Sequence, residues 1–112
     1  MTDDRSVLAR LAGVIQDRKK NPPRHSYTTR LMQGGVEKIG AKVLEEAAEV
    51  VDAARELDKQ QGSSDHLVAE AADLVYHLLV MLGYFDLTLE PVESELDRRF
   101  GVSGLDEKAA RD

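Results

Sequence analysis

Five acidic side chains on two helical stretches have the types and spacing that could do chemistry. The stretch "KVLEEAAEVVDAA" places three glutamates within five positions, and "EAADLVYHLLVML" places two more acids at the start of a very apolar run. Carboxylates grouped in this way suit the binding of a hard metal ion or the activation of a water molecule. These candidate catalytic residues are Glu45, Glu46, Glu49, Glu70 and Asp73.

The elements that must position these acids are helices. Apolar periodicity predicts four of them, and no segment shows convincing strand alternation. Two consecutive prolines, Pro22 and Pro23, end the first helix. Ser63 or Ser64 is an N-cap for the third helix, and Gly101 is a C′ glycine for the fourth. The predicted helices cover about residues 5–19, 36–57, 65–85 and 91–101. The predicted fold is an all-α bundle of about four helices.

Composition restricts the class of protein. The 112 residues fit one domain over 1–112, with its core at about 26–100 and a polar tail at 102–112. Its 21 acids against 15 bases give a net charge of −6, which argues against a nucleic-acid or anionic-membrane partner. No cysteine is present for a disulfide or a thiolate metal site. With no signal peptide and no apolar run of about 18 to 20 residues, we expect a cytoplasmic protein without a membrane span.

The third predicted helix places acids where a core should be. Its apolar residues surround the helix axis almost completely, which is typical of a buried helix. The interruption is a stripe of Glu70, Asp73 and His77, spaced i, i+3 and i+7. Buried acids cost several kcal/mol each unless they are paired or bind a metal. The acidic face of the second helix is the surface opposite, and we expect it to bring Glu46 and Glu49 to Glu70 and Asp73.

Four carboxylates in one place need a cation, because like charges raise one another's pKa. An all-oxygen cluster suits Mg²⁺ first and Mn²⁺ next. Protein-bound Mg²⁺ commonly bridges to substrate phosphates, so the sequence predicts a metal that binds a polyphosphate and helps to activate water. Lys38 and Lys42, one turn apart before the acids, could neutralise phosphate oxygens.

The spacing Glu45-Glu46-x-x-Glu49 followed by Glu70-x-x-Asp73 resembles the EExxE…ExxD signature of the MazG-like all-α nucleoside triphosphate pyrophosphohydrolases. The stretches "SYTTRLMQGGVEKIGAKVLEEAAEVVDAA", "EAADLVYHLLVML" and "ELDRRFGVSGLDEKAAR" are similar to the phosphoribosyl-ATP pyrophosphohydrolase family, which acts second in histidine biosynthesis. The resemblance runs from about residue 26 to 111, and the first helix carries little of it.

The resemblance implies a specific activity and site. The family hydrolyses 1-(5-phosphoribosyl)-ATP to 1-(5-phosphoribosyl)-AMP and pyrophosphate, with Mg²⁺, in the cytoplasm, as a helical dimer. Its metal ligands fall on Glu46, Glu49, Glu70 and Asp73 of this sequence. Glu45 matches the remaining acid of the signature, with a role as water-positioning group, as base, or as a support for Lys42.

Further residues match the family or lie beside the acids. An SYT motif before the second helix could contact substrate, although Ser and Thr there are also ordinary caps. Two arginines of the fourth helix could hold the 5′-phosphate. His77 is either a core imidazole or a support for the metal ligands. The predicted substrate-binding residues are Ser26, Tyr27, Thr28, Lys38, Lys42, Arg98 and Arg99.

Assembly and three other functions stay open on the sequence. A helix apolar all round needs more neighbours than three modest helices supply, so we expect a two-fold homodimer paired through the second and third helices. A housecleaning (d)NTP pyrophosphohydrolase would use the same metal cluster. A di-iron bundle would need Glu-x-x-His on paired helices, which this sequence lacks. A non-enzymatic interaction module would leave the acids in the apolar helix unexplained.

Overall fold

The computed structural model describes residues 5–100, which form four α-helices and, within that range, no strand. The helices are α1 (Val7–Lys20), α2 (Tyr27–Asp58), α3 (Ser64–Tyr84) and α4 (Glu90–Phe100). This confirms the all-α prediction with four helices. The predicted polar tail and the C′ glycine at 101 lie outside the described residues.

The start of α2 was predicted nine residues too late. Ser26 caps the helix, because its side chain accepts a hydrogen bond from the Thr29 backbone N–H at 3.2 Å. Gly35 does not begin the helix but kinks it, with φ of 69° and ψ of −163°. That conformation is essentially restricted to glycine. The predicted connector after the prolines therefore already contains the first turns of α2.

The starts of α1 and α3 follow ordinary capping chemistry. The Ser6 side chain accepts from the Ala9 backbone N–H, and the Ser63 side chain accepts from that of His66. Ser63 is thus the N-cap of α3, one of the two serines predicted for that role. Both bonds satisfy a donor that the first turn of a helix leaves unpaired.

The core lies among α1, α2 and α3. Its centre consists of side chains that are almost completely buried, and α2 and α3 share the most extensive interface. Burying one such Leu or Ile side chain contributes about 1.5–3 kcal/mol. Among residues 90–100, which form α4, none is buried. The central residues are Ile15, Leu31, Ile39, Leu79 and Val80.

The expectation that α3 is buried on every side is wrong for the single chain. One side of the helix is buried, but Val68 is 66% exposed and Leu78 is 44% exposed. On α2, Leu44 is 74% exposed. The reason is geometric: α1 and α2 cover only part of the circumference of α3. An apolar surface on α2 and α3 is left for another neighbour.

By length and composition alone, α3 could cross a membrane. A core helix of a soluble protein passes the same test. This helix carries Glu70 and Asp73 and packs along α2. The α2–α3 interface accounts for the apolar side chains on the buried side of α3.

Candidate active site

Three carboxylates meet between α2 and α3. Glu46 and Glu49 lie one turn apart on α2, and Glu70 lies in the first half of α3. One carboxylate oxygen from each lies within 4.8 Å of the other two. The expectation that the acidic face of α2 meets the acids of α3 is confirmed for these three residues. They are called the acid cluster below.

The acid cluster is partly removed from water and incompletely hydrogen-bonded. Glu46 is only 6% exposed. Oε2 of Glu46 and Oε2 of Glu70 are buried without a hydrogen-bond partner among residues 5–100. A buried polar atom left in this way costs about 1–3 kcal/mol, and more if it is charged. The fold therefore holds two acceptor atoms in a position that favours a cationic ligand.

The pKa values of Glu46 and Glu70 are raised. Burial is the main cause of the rise in the pKa of Glu46 to about 7, followed by its contact with the Glu49 carboxylate. For Glu70 the contact with Glu49 comes first and burial second, and both raise its pKa. These shifts reflect burial of the carboxyl groups together with negative charges packed side by side with too little opposite charge.

Asp73 lies at the rim of the acid cluster and not within it. It is exposed, and no oxygen of its carboxylate belongs to the group within 4.8 Å. Its charge nevertheless contributes to the raised pKa of both Glu46 and Glu70. Aspartate has a shorter side chain than glutamate, so it reaches less far from α3. The ligand role of Asp73 stays a prediction.

The donors of the acid cluster fit a hard divalent cation. They are all carboxylate oxygens, which suit Mg²⁺ or Mn²⁺ and not a metal that prefers sulfur. Two of its members, Glu46 and Glu70, each have a buried oxygen that accepts no hydrogen bond among the described residues. A divalent cation would also offset the repulsion that raises the pKa values of Glu46 and Glu70.

Lys42 connects the acid cluster to Glu45. Its Nζ lies 2.9 Å from Oε2 of Glu45 and 3.8 Å from Oε1 of Glu46. The bond with Glu45 is the largest cause of the raised pKa of Lys42. Lys38, one turn earlier, is exposed. Of the roles considered for Glu45, the contact with Lys42 is the one for which this geometry supplies a partner.

The SYT motif contacts α3. Tyr27 Oη lies 2.8 Å from Nε2 of His77, and Thr28 Oγ1 is hydrogen-bonded to Tyr76 Oη. His77 is buried, and its Nδ1 lies 2.7 Å from the backbone oxygen of Asp73. Sequence reasoning considered the motif only for substrate contact or capping and missed this link. A tyrosine–histidine pair one turn after Asp73 was the available signal.

Arg98 and Arg99 lie on α4, where both contact Glu95. Arg98 Nη2 is 2.6 Å and Arg99 Nε is 3.0 Å from Oε1 of Glu95. These arginines lower the pKa of Glu95 to about 2. Their predicted contact with the 5′-phosphate stays a prediction.

Comparison with known proteins places the chain in a family. A sequence profile described as phosphoribosyl-ATP pyrophosphohydrolase matches residues 8–100. The chain belongs to this family. A protein of Burkholderia multivorans named phosphoribosyl-ATP pyrophosphatase is 50% identical over 105 residues, which cover 94% of this chain and 86% of that protein. A Nitrosospira multiformis protein of the same name is 47% identical, with 96% and 85% covered.

The phosphoribosyl-ATP pyrophosphohydrolase match includes α1, contrary to the expectation that the first helix carries little of the resemblance. The profile begins at residue 8, within α1. A Pelobacter propionicus phosphoribosyl-ATP pyrophosphatase is 45% identical over 111 residues, which cover 99% of this chain and 98% of that protein. Every residue of the acid cluster lies inside the matched region.

Proposed function

We propose that the protein hydrolyses 1-(5-phosphoribosyl)-ATP to 1-(5-phosphoribosyl)-AMP and pyrophosphate, the second step of histidine biosynthesis. The observation that carries the proposal is the acid cluster, with two unpartnered buried oxygens, in a chain of the phosphoribosyl-ATP pyrophosphohydrolase family. The names of relatives that are 45% to 50% identical over nearly the whole chain support the same substrate.

The metal expected at this site is Mg²⁺, with Mn²⁺ as a substitute. Glu46, Glu49 and Glu70 would hold it, with Asp73 joining them from the rim. When bound, such an ion offsets charge on the triphosphate and promotes ionisation of a water molecule. Support comes from the all-oxygen donor set and from the raised pKa values of Glu46 and Glu70.

Lys42 is proposed to bind a phosphate oxygen of the substrate. Its ammonium lies next to the acid cluster, 3.8 Å from Oε1 of Glu46. Glu45 holds the ammonium in place through the 2.9 Å contact. A charge-assisted hydrogen bond from lysine to phosphate is stronger than one between neutral groups. We assign Glu45 to supporting Lys42 because that contact gives it a defined partner.

We also propose that the protein is a cytoplasmic homodimer paired through α2 and α3. Both helices expose apolar side chains that their own chain does not cover. A two-fold dimer would bury these side chains on both protomers, because each protomer contributes the same surface. Leu78→Glu should yield a monomer in sedimentation velocity, whereas Val14→Glu on α1 should leave the dimer intact. A stable monomer of the unmodified protein at micromolar concentration would contradict the pairing. The side chains are Leu44, Val51, Val68, Val75 and Leu78.

The activity is tested by chromatographic measurement of the phosphoribosyl-AMP formed from phosphoribosyl-ATP, which needs no metal-dependent coupling enzyme. We expect turnover with Mg²⁺, loss of turnover with a chelator, and recovery when Mg²⁺ is restored. The same assay with dATP and dGTP is the comparison for a housecleaning enzyme. Absence of turnover of phosphoribosyl-ATP with either Mg²⁺ or Mn²⁺ would refute the proposed reaction.

A further inference from the structure

A continuous hydrogen-bonded path joins the first turn of α2 to the rim of the acid cluster. It runs from Tyr27 Oη to His77 Nε2 over 2.8 Å, and from His77 Nδ1 to the backbone oxygen of Asp73 over 2.7 Å. The histidine is 4% exposed, so its ring is enclosed by the protein and not by water. Two separate segments of the chain thus meet at the turn of α3 that carries Asp73.

The hydrogen-bond chemistry gives this path a direction. A backbone carbonyl oxygen can only accept, so Nδ1 of His77 must carry a proton. In the neutral imidazole, Nε2 then has a free lone pair and accepts from the Tyr27 hydroxyl. Tyr27 therefore donates to His77, and His77 donates to Asp73. Each ring nitrogen has one defined partner, which fixes the orientation of the imidazole.

Tyr27 is also electrostatically connected to the acid cluster. Burial is the main cause of its raised pKa, and the charges of Glu45 and Glu46 raise it further, while Lys42 lowers it. Its ring stacks on that of Tyr76 at a centroid distance of 6.3 Å and meets the His77 ring edge-on at 5.8 Å. The hydroxyl is therefore held by ring packing as well as by its hydrogen bond.

Asp73 is the acid whose position would depend on this hydrogen-bonded path. Its side chain is exposed, so packing against neighbours does not fix it as burial fixes Glu46. The position of an exposed carboxylate depends on the backbone that carries it. We propose that Tyr27 and His77 are positioning residues that hold the Asp73 turn of α3 beside the acid cluster for metal binding. The proposal rests on the proposed function, because it requires Asp73 to take part in binding Mg²⁺.

A second bond between the same two helices provides a matched control. Thr28 follows Tyr27 in the chain, and Tyr76 precedes His77. The hydroxyls of Thr28 and Tyr76 are hydrogen-bonded to each other. Tyr27→Phe and Tyr76→Phe each remove one hydroxyl that joins α2 to α3. If both bonds only hold the helices together, the two variants should behave alike. Only the Tyr27 hydroxyl leads to Asp73.

The experiment is Mg²⁺ titration calorimetry on the full chain without substrate, with thermal unfolding in chelator measured on every variant. Residues that support metal ligands typically change metal affinity by about 10- to 100-fold when mutated. We expect Tyr27→Phe to weaken Mg²⁺ binding about 10-fold, with Tyr76→Phe close to the unmodified protein. His77→Gln, which lacks the ring Nδ1 donor, should match Tyr27→Phe, and the double variant should be no weaker than either one.

The decisive comparison uses the background that lacks the Asp73 carboxylate. Tyr27→Phe should not change the residual Mg²⁺ affinity of Asp73→Ala, because the path acts through that residue. Equal losses in Tyr27→Phe and Tyr76→Phe, or a further loss in the Asp73→Ala background, would overturn the positioning role while the proposed function stands. A failure of the unmodified protein to bind Mg²⁺ would overturn both.

Discussion

Glu46 on α2 and Glu95 on α4 carry the same carboxyl group, yet their pKa values move in opposite directions. The pKa of Glu46 is raised to about 7, first by burial and then by Glu49. The pKa of Glu95 is lowered to about 2 by Arg98 and Arg99. The first residue is enclosed between two helices with other acids, and the second is exposed beside two guanidinium groups.

The difference separates an acid that is paired within its own helix from a buried acid that has an oxygen available to a ligand. Glu95 completes its ion pairs within α4, so its charge is already balanced. Glu46 has one Lys42 contact at 3.8 Å and a buried oxygen without a partner among the described residues. Strongly perturbed acids of the second kind are typical of functional sites. The predictions for the acid cluster and for Glu95 test the two sides of this comparison.

The largest expected effect is on turnover. Glu49 lies in contact with both other members of the acid cluster. Glu49→Gln should lower the rate of phosphoribosyl-AMP formation at ordinary Mg²⁺ by more than about 100-fold, the upper end of what losing a mere supporting residue costs. The fold should survive, because the substitution relieves repulsion.

Glu56→Gln is the control on the same helix, since Glu56 is exposed and lies outside the acid cluster. It should retain normal turnover, and circular dichroism should show equal helix content in both variants. Near-normal activity in both Glu49→Gln and Asp73→Asn would contradict the assignment of these acids to metal binding.

The second prediction concerns stability without metal. The pKa of Glu46 rises from 4.5 in the unfolded chain to about 7 in the fold. As pH increases through this window, the unfolded state releases its proton first, so the folded state loses stability. The loss is absent below about pH 4.5, complete above about pH 7, and amounts to about 3 kcal/mol. Urea denaturation in chelator from pH 4 to 8 measures it.

Glu46→Gln should flatten this pH dependence and be the more stable protein above pH 7 when metal is absent. Saturating Mg²⁺ should restore stability to the unmodified protein, by about 2.7 kcal/mol at 100 times its dissociation constant. Equal dependence of stability on pH in both proteins would show that ionisation of Glu46 does not cause the expected loss.

The third prediction concerns the kink that lets the first turn of α2 reach α3. Gly35 has φ of 69° and ψ of −163°, a conformation that costs other residues about 1–3 kcal/mol. Gly35→Ala should therefore destabilise the protein by that amount, although the added Cβ would lie 3.4 Å from Tyr84 Oη, an ordinary contact.

Gly13→Ala is the matched control, because nothing lies within 4 Å of a Cβ added there inside α1. In a helix interior alanine is favoured over glycine by about 0.5–1 kcal/mol, so this variant should gain stability. Chemical denaturation of both variants measures the pair. An unchanged stability in Gly35→Ala would mean that the kink is not required.

The meeting of α2 and α3 through their acids could be predicted from the sequence because two periodic patterns are superimposed there. Glu70 interrupts an apolar helix, and Glu46 and Glu49 share a face of the neighbouring helix. A buried acid needs a partner, and only one facing surface offered it. The family resemblance selected the same residues independently, and the family itself is confirmed.

The start of α2 and the position of Asp73 depend on three-dimensional geometry, which the spacing of apolar residues in the sequence does not determine. The early start of α2 depends on the Ser26 cap and on Leu31, which is completely buried against the core. Two glycines in sequence indicate a turn, but whether a helix continues past it depends on packing. The rim position of Asp73 depends on the rotation of α3 and on side-chain length, and neither can be read from spacing alone.

The smallest expected effect is on the other side of the comparison, at Glu95. Its pKa is lowered in the fold, so its contribution to stability is present above the unfolded value of 4.5 and is lost as pH falls toward about 2. Glu95→Gln should therefore reduce the helix content of α4 slightly at pH 7 and flatten the response between pH 4.5 and 2. Circular dichroism measures this loss.

The change in stability expected for Glu95→Gln has the opposite sign to that for Glu46→Gln, where removing the charge should raise stability at neutral pH without metal. Because α4 has no buried residue among positions 90–100 and Glu95 is exposed to solvent and screening, the change should be small. Added salt should reduce it further, since exposed ion pairs are screened. A large loss in Glu95→Gln that resists salt would show that these ion pairs hold α4 against a surface outside the single chain.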